Sequence, residues 1–344
     1  MRLREWMSRA GFVATAVVVL AYASAGFAQE KAPAEAVSAK PTQLVIIDTD
    51  IGDDIDDVFA VGLALSSPEL RILGITSAWG DTALKSRLLD RLLCEAGRSD
   101  IPVATGIAGK GTFTQQRWAE HQPDKPHADA VSFLLEQIKQ HSGEITLIGL
   151  GPLTNAGAAI HRDPETFKKL KRVVIMGGSV RRGYGDVGYG PGHGLDAEYN
   201  ILMDVPAAQA LFTAGVPLYM MPLDSTQIKL DDSRRQMLFS LSTPLTDAMT
   251  LLYEQWSVGH QLVEPTLYDD VAVEYAVDPA LCPAVPTRLV VDDKGFTRET
   301  TGTPNTFVCL QNDSDRFYGF FMKRLLEQRL GGSCNAGMCT AQAR

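Results

Sequence analysis

The chain has no cysteine or histidine cluster. Its five cysteines, at 94, 282, 309, 334 and 339, form no CxxC pair and do not group with the six histidines at zinc-ligand spacing, which argues against a structural zinc site. Cys94, Cys282 and Cys309 lie in apolar surroundings and read as small core residues. Cys334 and Cys339 flank a Gly-rich polar tail that a disulfide can close, and the sequence leaves that bridge open. Positive charge is also in deficit: 32 Lys and Arg stand against 41 Asp and Glu, for a formal charge of -9. A cationic surface for gripping phosphate backbones is excluded, and nucleic acid with it as an expected partner. There is no internal repeat and no Pro/Ser linker, and 18 Pro and 30 Gly in 344 residues exclude collagen-like and linker-dominated architectures. No apolar run matches the ~20 residues of a membrane-spanning helix. The nearest, from Gly11 to about Phe27, is diluted by Ala, Ser and Gly; it follows Arg2, Arg4 and Arg9 and ends at the small residues Gly26 and Ala28. That is the layout of a cleaved signal peptide over 1–28, with no Cys behind it for a lipid anchor. The mature chain is expected to be exported, periplasmic or secreted, and free of the membrane.

What is present is a large core: 45% of residues are apolar and 21% charged, so intrinsic disorder is excluded. Residues 29–42, rich in Ala, Pro, Lys and Glu, read as a mobile leader, 43–330 as a single domain and 331–344 as a tail. Within the domain short apolar runs alternate with helical-period segments. The runs are 44–47, 71–76, 101–104, 145–150, 172–176, 216–221 and 288–291; the helices are expected at about 56–66, 82–97, 128–141, 154–162, 205–214, 243–260 and 313–329. Fully apolar strands separated by helices predict a doubly wound α/β domain, its mainly parallel sheet covered by helices on both faces. Ligands bind such sheets at the carboxyl ends of the strands.

The first strand runs into Asp48-Thr49-Asp50-Ile51-Gly52-Asp53-Asp54-Ile55-Asp56-Asp57, six carboxylates in ten residues. Two carboxylates about 5 Å apart repel by about 3 kcal/mol at an effective dielectric of about 20, so their convergence requires a cation, raised pKa values or a helix N-terminus. Helix capping accounts for two of them at most. The all-oxygen donor set selects Ca²⁺ or Mg²⁺ over zinc. An EF-hand fails, because Asp53 and Phe59 occupy the positions of its Gly and Glu. An aspartyl-phosphate phosphatase pattern matches Asp48 and Asp50 but meets Gly52 where Thr or Val belongs.

Further polar residues follow other apolar runs. Thr154 and Asn155 read first as helix caps, Met176 as either a core or a pocket residue, and Asp270 as a cap or surface residue. Glu198 and Asn200 alternate in an extended-looking AEYN segment, which puts both on one side.

Together these segments resemble the nucleoside hydrolases of the inosine-uridine preferring type. Asp48 to Ala60 is similar to the longer form of that family's acidic loop, DTDxGxDxDDAxAL. The likeness continues in order through Gly74-Ile75-Thr76 with Trp79-Gly80-Asp81, Gly151-Pro152-Leu153-Thr154-Asn155, Met176-Gly177-Gly178, Ala197-Glu198-Tyr199-Asn200 and Asp269 before Ala272-Val273. The resemblance implies calcium-dependent hydrolysis of the N-glycosidic bond of ribonucleosides, with one Ca²⁺ per chain held by Asp50, Asp57, Asp269 and the Leu150 carbonyl. It makes Asp50 the general base, places Asp54, Asp56, Asp81 and Asn200 about the ribose, and sets Met176 and Glu198 toward its 5′ end. A small nucleoside or other ribosyl compound is the implied partner, and a homo-oligomer is left open. Two departures stand out: Asp81 where many members have Asn, and Tyr268 where well-studied members have His before the last metal Asp. A calcium-dependent sugar or nucleoside binder without catalysis, and an Asp-based phosphohydrolase, are the competing readings. Of the histidines, His193 in the Gly-rich loop 183–194 is the candidate nearest a pocket, but a lone loop histidine reads first as a surface residue.

Overall fold

Burial on both faces of the first strand sets the architecture. In the computed structural model, which describes residues 42–190 and 192–331 and the backbone of 333–335 and 338–340, β1 (Gln43–Thr49) is buried from Val45 onward on both sides. Its neighbours are β2 (Leu70–Ser77) on one edge and, on the other, the strand Ile145–Gly149, both parallel to it. In chain order the remaining strands are β3 (Val103–Thr105), β4 (Ala128–Asp129), β5 (Ile145–Gly149), β6 (Arg172–Met176), β7 (Leu218–Met221), β8 (Val285–Thr287), β9 (Leu289–Val291), β10 (Thr297–Glu299) and β11 (Thr306–Val308). The nine-stranded sheet has the order β4-β3-β2-β1-β5-β6-β7-β11-β8 and is parallel except for β8. The chain winds outward from β1 to β4, then returns to the other side of β1 and winds outward again. The order therefore reverses between β1 and β5, and their carboxyl ends open a crevice.

Two apolar layers fill the faces. One packs Val58, Phe59 and Leu63 of the Asp56–Leu65 helix against Leu88 and Leu92 of Thr82–Glu95 and Phe317 and Phe321 of Ser314–Glu327; the other gathers Leu134, Ile138, Phe167, Leu211 and Val173. The expected doubly wound α/β domain is present. The 288–291 run departs from expectation: it lies outside the main sheet and pairs antiparallel with β10 in a two-stranded ribbon.

The reading of the cysteines also changes. Cys282 and Cys309 are fully buried, as expected, but are bonded to each other across a sequence separation of 27 residues. Cys94 is disulfide-bonded as well. Burial and reaction with a nearby thiol are compatible, and apolar surroundings alone do not distinguish them. The 333–335 and 338–340 strands pair Cys334 opposite Cys339 in backbone register, while their side chains, like the expected signal peptide and all of the leader but its last residue, lie outside the described residues.

Candidate active site

β1 and β5 end side by side, and the loops that follow them form one wall of a cavity of about 280 Å³. Asp50, Asp56, Asp57 and Asp269 are all buried in its lining, whereas Asp53 and Asp54 are partly exposed. Leu150, Met176, Glu198 and Asn200 also line it, and the partly exposed Tyr184, Tyr199, Tyr268 and His260 complete the lining at the rim.

Local chemistry explains the acidic loop's path. Gly52 has φ 113°, and a Cβ there would sit 2.7 Å from the Phe113 ring, so only glycine fits beneath that aromatic wedge. The Gln115 N–H donates to the Gly52 carbonyl at 3.2 Å and the Thr114 hydroxyl to the Asp53 carbonyl at 3.1 Å, which holds the loop from outside. Asp56 and Asp57 then enter the first turn of the Asp56–Leu65 helix, where the positive end of the helix dipole favours them. The Thr49 hydroxyl donates to the Asp57 carboxylate. Gly151 permits a second close approach: a Cβ there would lie 2.6 Å from an oxygen of Asp50.

Burial and mutual repulsion raise proton affinity throughout the floor. Desolvation, followed by the charges of neighbouring carboxylates, holds Asp56, Asp57 and Asp269 well above the ordinary carboxylate range. Asp50 is pushed up to about 6 by burial, opposed by Lys85. Glu198 rises to about 7 by burial although it accepts three backbone N–H groups, from Gly178 at 2.8 Å, Asn200 at 2.9 Å and Ile201 at 3.2 Å. Tyr268 and Tyr199 are each pushed up to about 12, chiefly by burial.

Asp56, Asp57 and Asp269 offer carboxylate oxygens that all lie within 4.8 Å of one another, a buried group able to hold a metal ion. Carboxylate oxygens grouped at this spacing are the donor chemistry that hard cations take. Asp57 and Asp269 were expected as ligands; Asp56, expected at the sugar, joins them, while Asp50 lines the cavity outside this tight set. The Leu150 carbonyl faces the same cavity region and accepts from the Asn200 amide at 3.0 Å.

Other expectations are corrected. Asp81 does not line the cavity: it is exposed and caps the Thr82–Glu95 helix, accepting from the Leu84 N–H at 3.0 Å. Asn155 is no cap; its amide donates to Asp48 at 2.8 Å and to the Ser77 carbonyl at 3.0 Å, tying β1 to β2, and Thr154 makes no cap bond either. Asp48 is thereby committed to the sheet, with Thr76 also donating to it, which removes the nucleophile an Asp-based phosphohydrolase needs. Asp270 is neither cap nor surface: it is fully buried, and neither carboxylate oxygen has a hydrogen-bond partner among the described residues. The AEYN segment is not extended; Glu198 is the N-cap of a short helix, Tyr199–Leu202, because its carboxylate satisfies that helix's first N–H groups. His193 keeps its first reading as a surface residue: it is exposed and bonds the Tyr184 carbonyl at 2.7 Å, outside the cavity lining.

Two residues escaped sequence reasoning. Lys85 is buried and its ammonium donates to the Asp50 carbonyl, placing a cation behind the acidic loop. Its signal was position: it shares the apolar helix face of Leu88, Leu89 and Leu92, where a lysine needs an anionic partner. His260, at the end of the Pro244–His260 helix, is the imidazole that lines the cavity, with Nε2 3.1 Å from the Asp53 carbonyl.

The family model for inosine-uridine preferring nucleoside hydrolase matches residues 45–319. The chain belongs to that family. It is 33% identical over 259 residues to uridine nucleosidase 1 of Arabidopsis thaliana, covering 69% of this chain and 74% of the relative. It is 27% identical to the pyrimidine-specific ribonucleoside hydrolase RihA of Escherichia coli, covering 82% and 97%. Among solved structures, the plant nucleoside hydrolase PpNRh1 superposes with a TM-score of 0.73 at 26% identity, covering 84% of this chain and all of that one. Like the rest of the family, this nucleoside hydrolase is an enzyme that breaks ribonucleoside N-glycosidic bonds. The reading as a non-catalytic binder is set aside.

Proposed function

We propose that this nucleoside hydrolase works outside the cytoplasm with one calcium ion, and that Asp50 is its general base. The observation that carries the reading is the convergence of Asp56, Asp57 and Asp269 within 4.8 Å beside Asp50. Asp57, Asp269 and Asp56 would hold the ion, with the Asp50 carboxylate and the Leu150 carbonyl as further oxygen donors on the same wall. When bound, such an ion orients a water, lowers its pKa and engages vicinal hydroxyls.

The remaining chemistry belongs to the chain. Asp50, with its raised proton affinity, accepts the proton of the attacking water. The surrounding carboxylates stabilise the positive charge that develops on the sugar as the C1′–N bond opens. The Asn200 amide and the acidic loop, Asp54 included, bind ribose hydroxyls, and Glu198 beside Met176 takes the 5′ end. Glu198 is held for that role by three backbone donors. The Cys282–Cys309 disulfide supports an oxidising compartment and therefore export.

Release of free ribose from a mixture of ribonucleosides, with and without EDTA, tests the reading. Activity that survives EDTA in full removes calcium. In Asp57→Ala both bound calcium and turnover should be lost, and wild-type calcium affinity in that variant would remove the assignment of the ion to this group.

A further inference from the structure

The cavity has an asymmetry that the cleavage of a neutral nucleoside does not require. Seven carboxyl groups line it, from Asp50, Asp53, Asp54, Asp56, Asp57, Asp269 and Glu198, and among the described residues no lysine or arginine does. The deep carboxylates serve the sugar and the cation. Asp53 is left over near the rim, its side chain 45% exposed and touched by His260 at 3.9 Å. Around the same rim stand three tyrosines. Tyr184 and Tyr268 meet edge to face, with ring centroids 6.3 Å apart and an interplanar angle of 85°, so their faces form a right-angled corner. Such a corner attracts a flat cation through the ring quadrupoles.

Tyr184 is pinned from behind: the Tyr199 N–H donates to its hydroxyl at 3.1 Å. A neutral base departs well only if something protonates it, and a phenol, with an ordinary pKa of about 10, is a poor acid at neutral pH. The one imidazole, His260, points Nε2 at the Asp53 carbonyl. The rim thus offers negative charge and aromatic faces where a neutral leaving group needs a proton.

We infer that the rim is built for ribosides whose ring nitrogen is already quaternised, the pyridinium ribosides, rather than for neutral purine or pyrimidine nucleosides. The inference rests on the hydrolase reading and names its substrate class. The step balances without an acid: the C1′–N bond breaks, its electron pair stays on nitrogen and the ring leaves as a neutral pyridine. The water oxygen bonds C1′, one of its protons passes to Asp50 and then to solvent, and the second remains on the new hydroxyl. The products are ribose, a neutral base and one proton. Asp53 and the Tyr184–Tyr268 corner stabilise the charge of the bound cation, and the sugar occupies the same deep site in either case.

The test compares kcat/KM for ribosylnicotinamide, uridine and inosine on the calcium-loaded enzyme at low ionic strength. The dihydro form of ribosylnicotinamide, which keeps the size and loses the charge, serves as a competitor. The cationic riboside should be favoured over uridine by about a hundredfold or more, with a lower KM, and the dihydro form should bind about tenfold more weakly than it. Asp53→Asn and Tyr184→Leu should each reduce the preference for ribosylnicotinamide over uridine by about five- to tenfold. If uridine or inosine is cleaved as well as the cation, the inference falls and the hydrolase reading stands. A preference that both variants leave unchanged reflects only the lability of the substrate and overturns it equally. If no ribose is released from any of the three, it is the hydrolase reading that fails.

Discussion

Asp50 and Tyr268 line the same cavity, and proton affinity separates what each can do. Burial lifts Asp50 to about 6, near enough to neutrality for a carboxylate to accept a proton from water and return it to solvent. Asp50→Asn should keep the fold, since its carbonyl bond from Lys85 remains, and lose about 10² to 10⁴ in turnover. Turnover equal to the parent would move the base to Asp54 or Asp56. Tyr268, pushed up to about 12, holds its proton too firmly to serve as an acid at neutral pH. Tyr268→Phe should therefore change the turnover of inosine and of p-nitrophenyl riboside by similar, small factors. A large loss confined to inosine would show that the phenol does supply the proton.

The Asp270–Val277 helix shows what an element can carry that its residues do not reveal singly. It follows the metal-group residue Asp269 and buries two acids one turn apart, Asp270 and Glu274. Glu274 accepts from the Asn312 amide at 2.8 Å, yet burial pushes it up to about 8. Its folded pKa lies above its unfolded value, so its contribution to stability is complete at low pH and is lost as pH rises through about 8. Glu274→Gln removes that loss. Thermal unfolding should find the variant more stable than the parent at pH 8–9, by about 1–3 kcal/mol, with the gap closing toward pH 5; curves that stay parallel across this range would contradict the raised pKa. The sequence shows such elements unevenly. The long helices were legible because periodicity survives over ten or more residues: 154–162 was read with its true limits, and 243–260 within one residue of Pro244–His260. Strands of two or three residues, such as β4, β8 and β11, carry no period, and long-range pairing alone makes them strands. The acidic loop was legible for the opposite reason, since local charge density announces it whatever the fold. Lys85 and His260 were not, because each belongs to the cavity only through a helix packed against a loop distant in sequence.

At the scale of the molecule, the two windings of the sheet meet where the chain concentrates its negative charge. Asp50, Asp56 and Asp57 come from the connection after β1, and Asp269 from a loop more than two hundred residues later. Folding therefore forces together charges that the unfolded chain keeps apart, and among the described residues Lys85 is the buried cation placed behind them. A divalent ion that binds only the folded state offsets this cost, and mass action adds about 4 kcal/mol of stability when the free ion is a thousand times its dissociation constant. EDTA should lower the melting temperature of the enzyme by several degrees, and added calcium should restore it. The Cys282–Cys309 bridge acts separately, closing a loop that contains none of the cavity's carboxylates and worth about 2–4 kcal/mol. Reduction, which also opens the disulfide of Cys94, should then lower the melting temperature further in the presence of EDTA, by about as much as it does in calcium, because losses at independent sites add. Scanning calorimetry of the four states, calcium or EDTA, oxidised or reduced, decides both points. Superimposed calcium and EDTA curves would mean that the carboxylates of the floor are satisfied by protons alone, and the ion would lose its structural role.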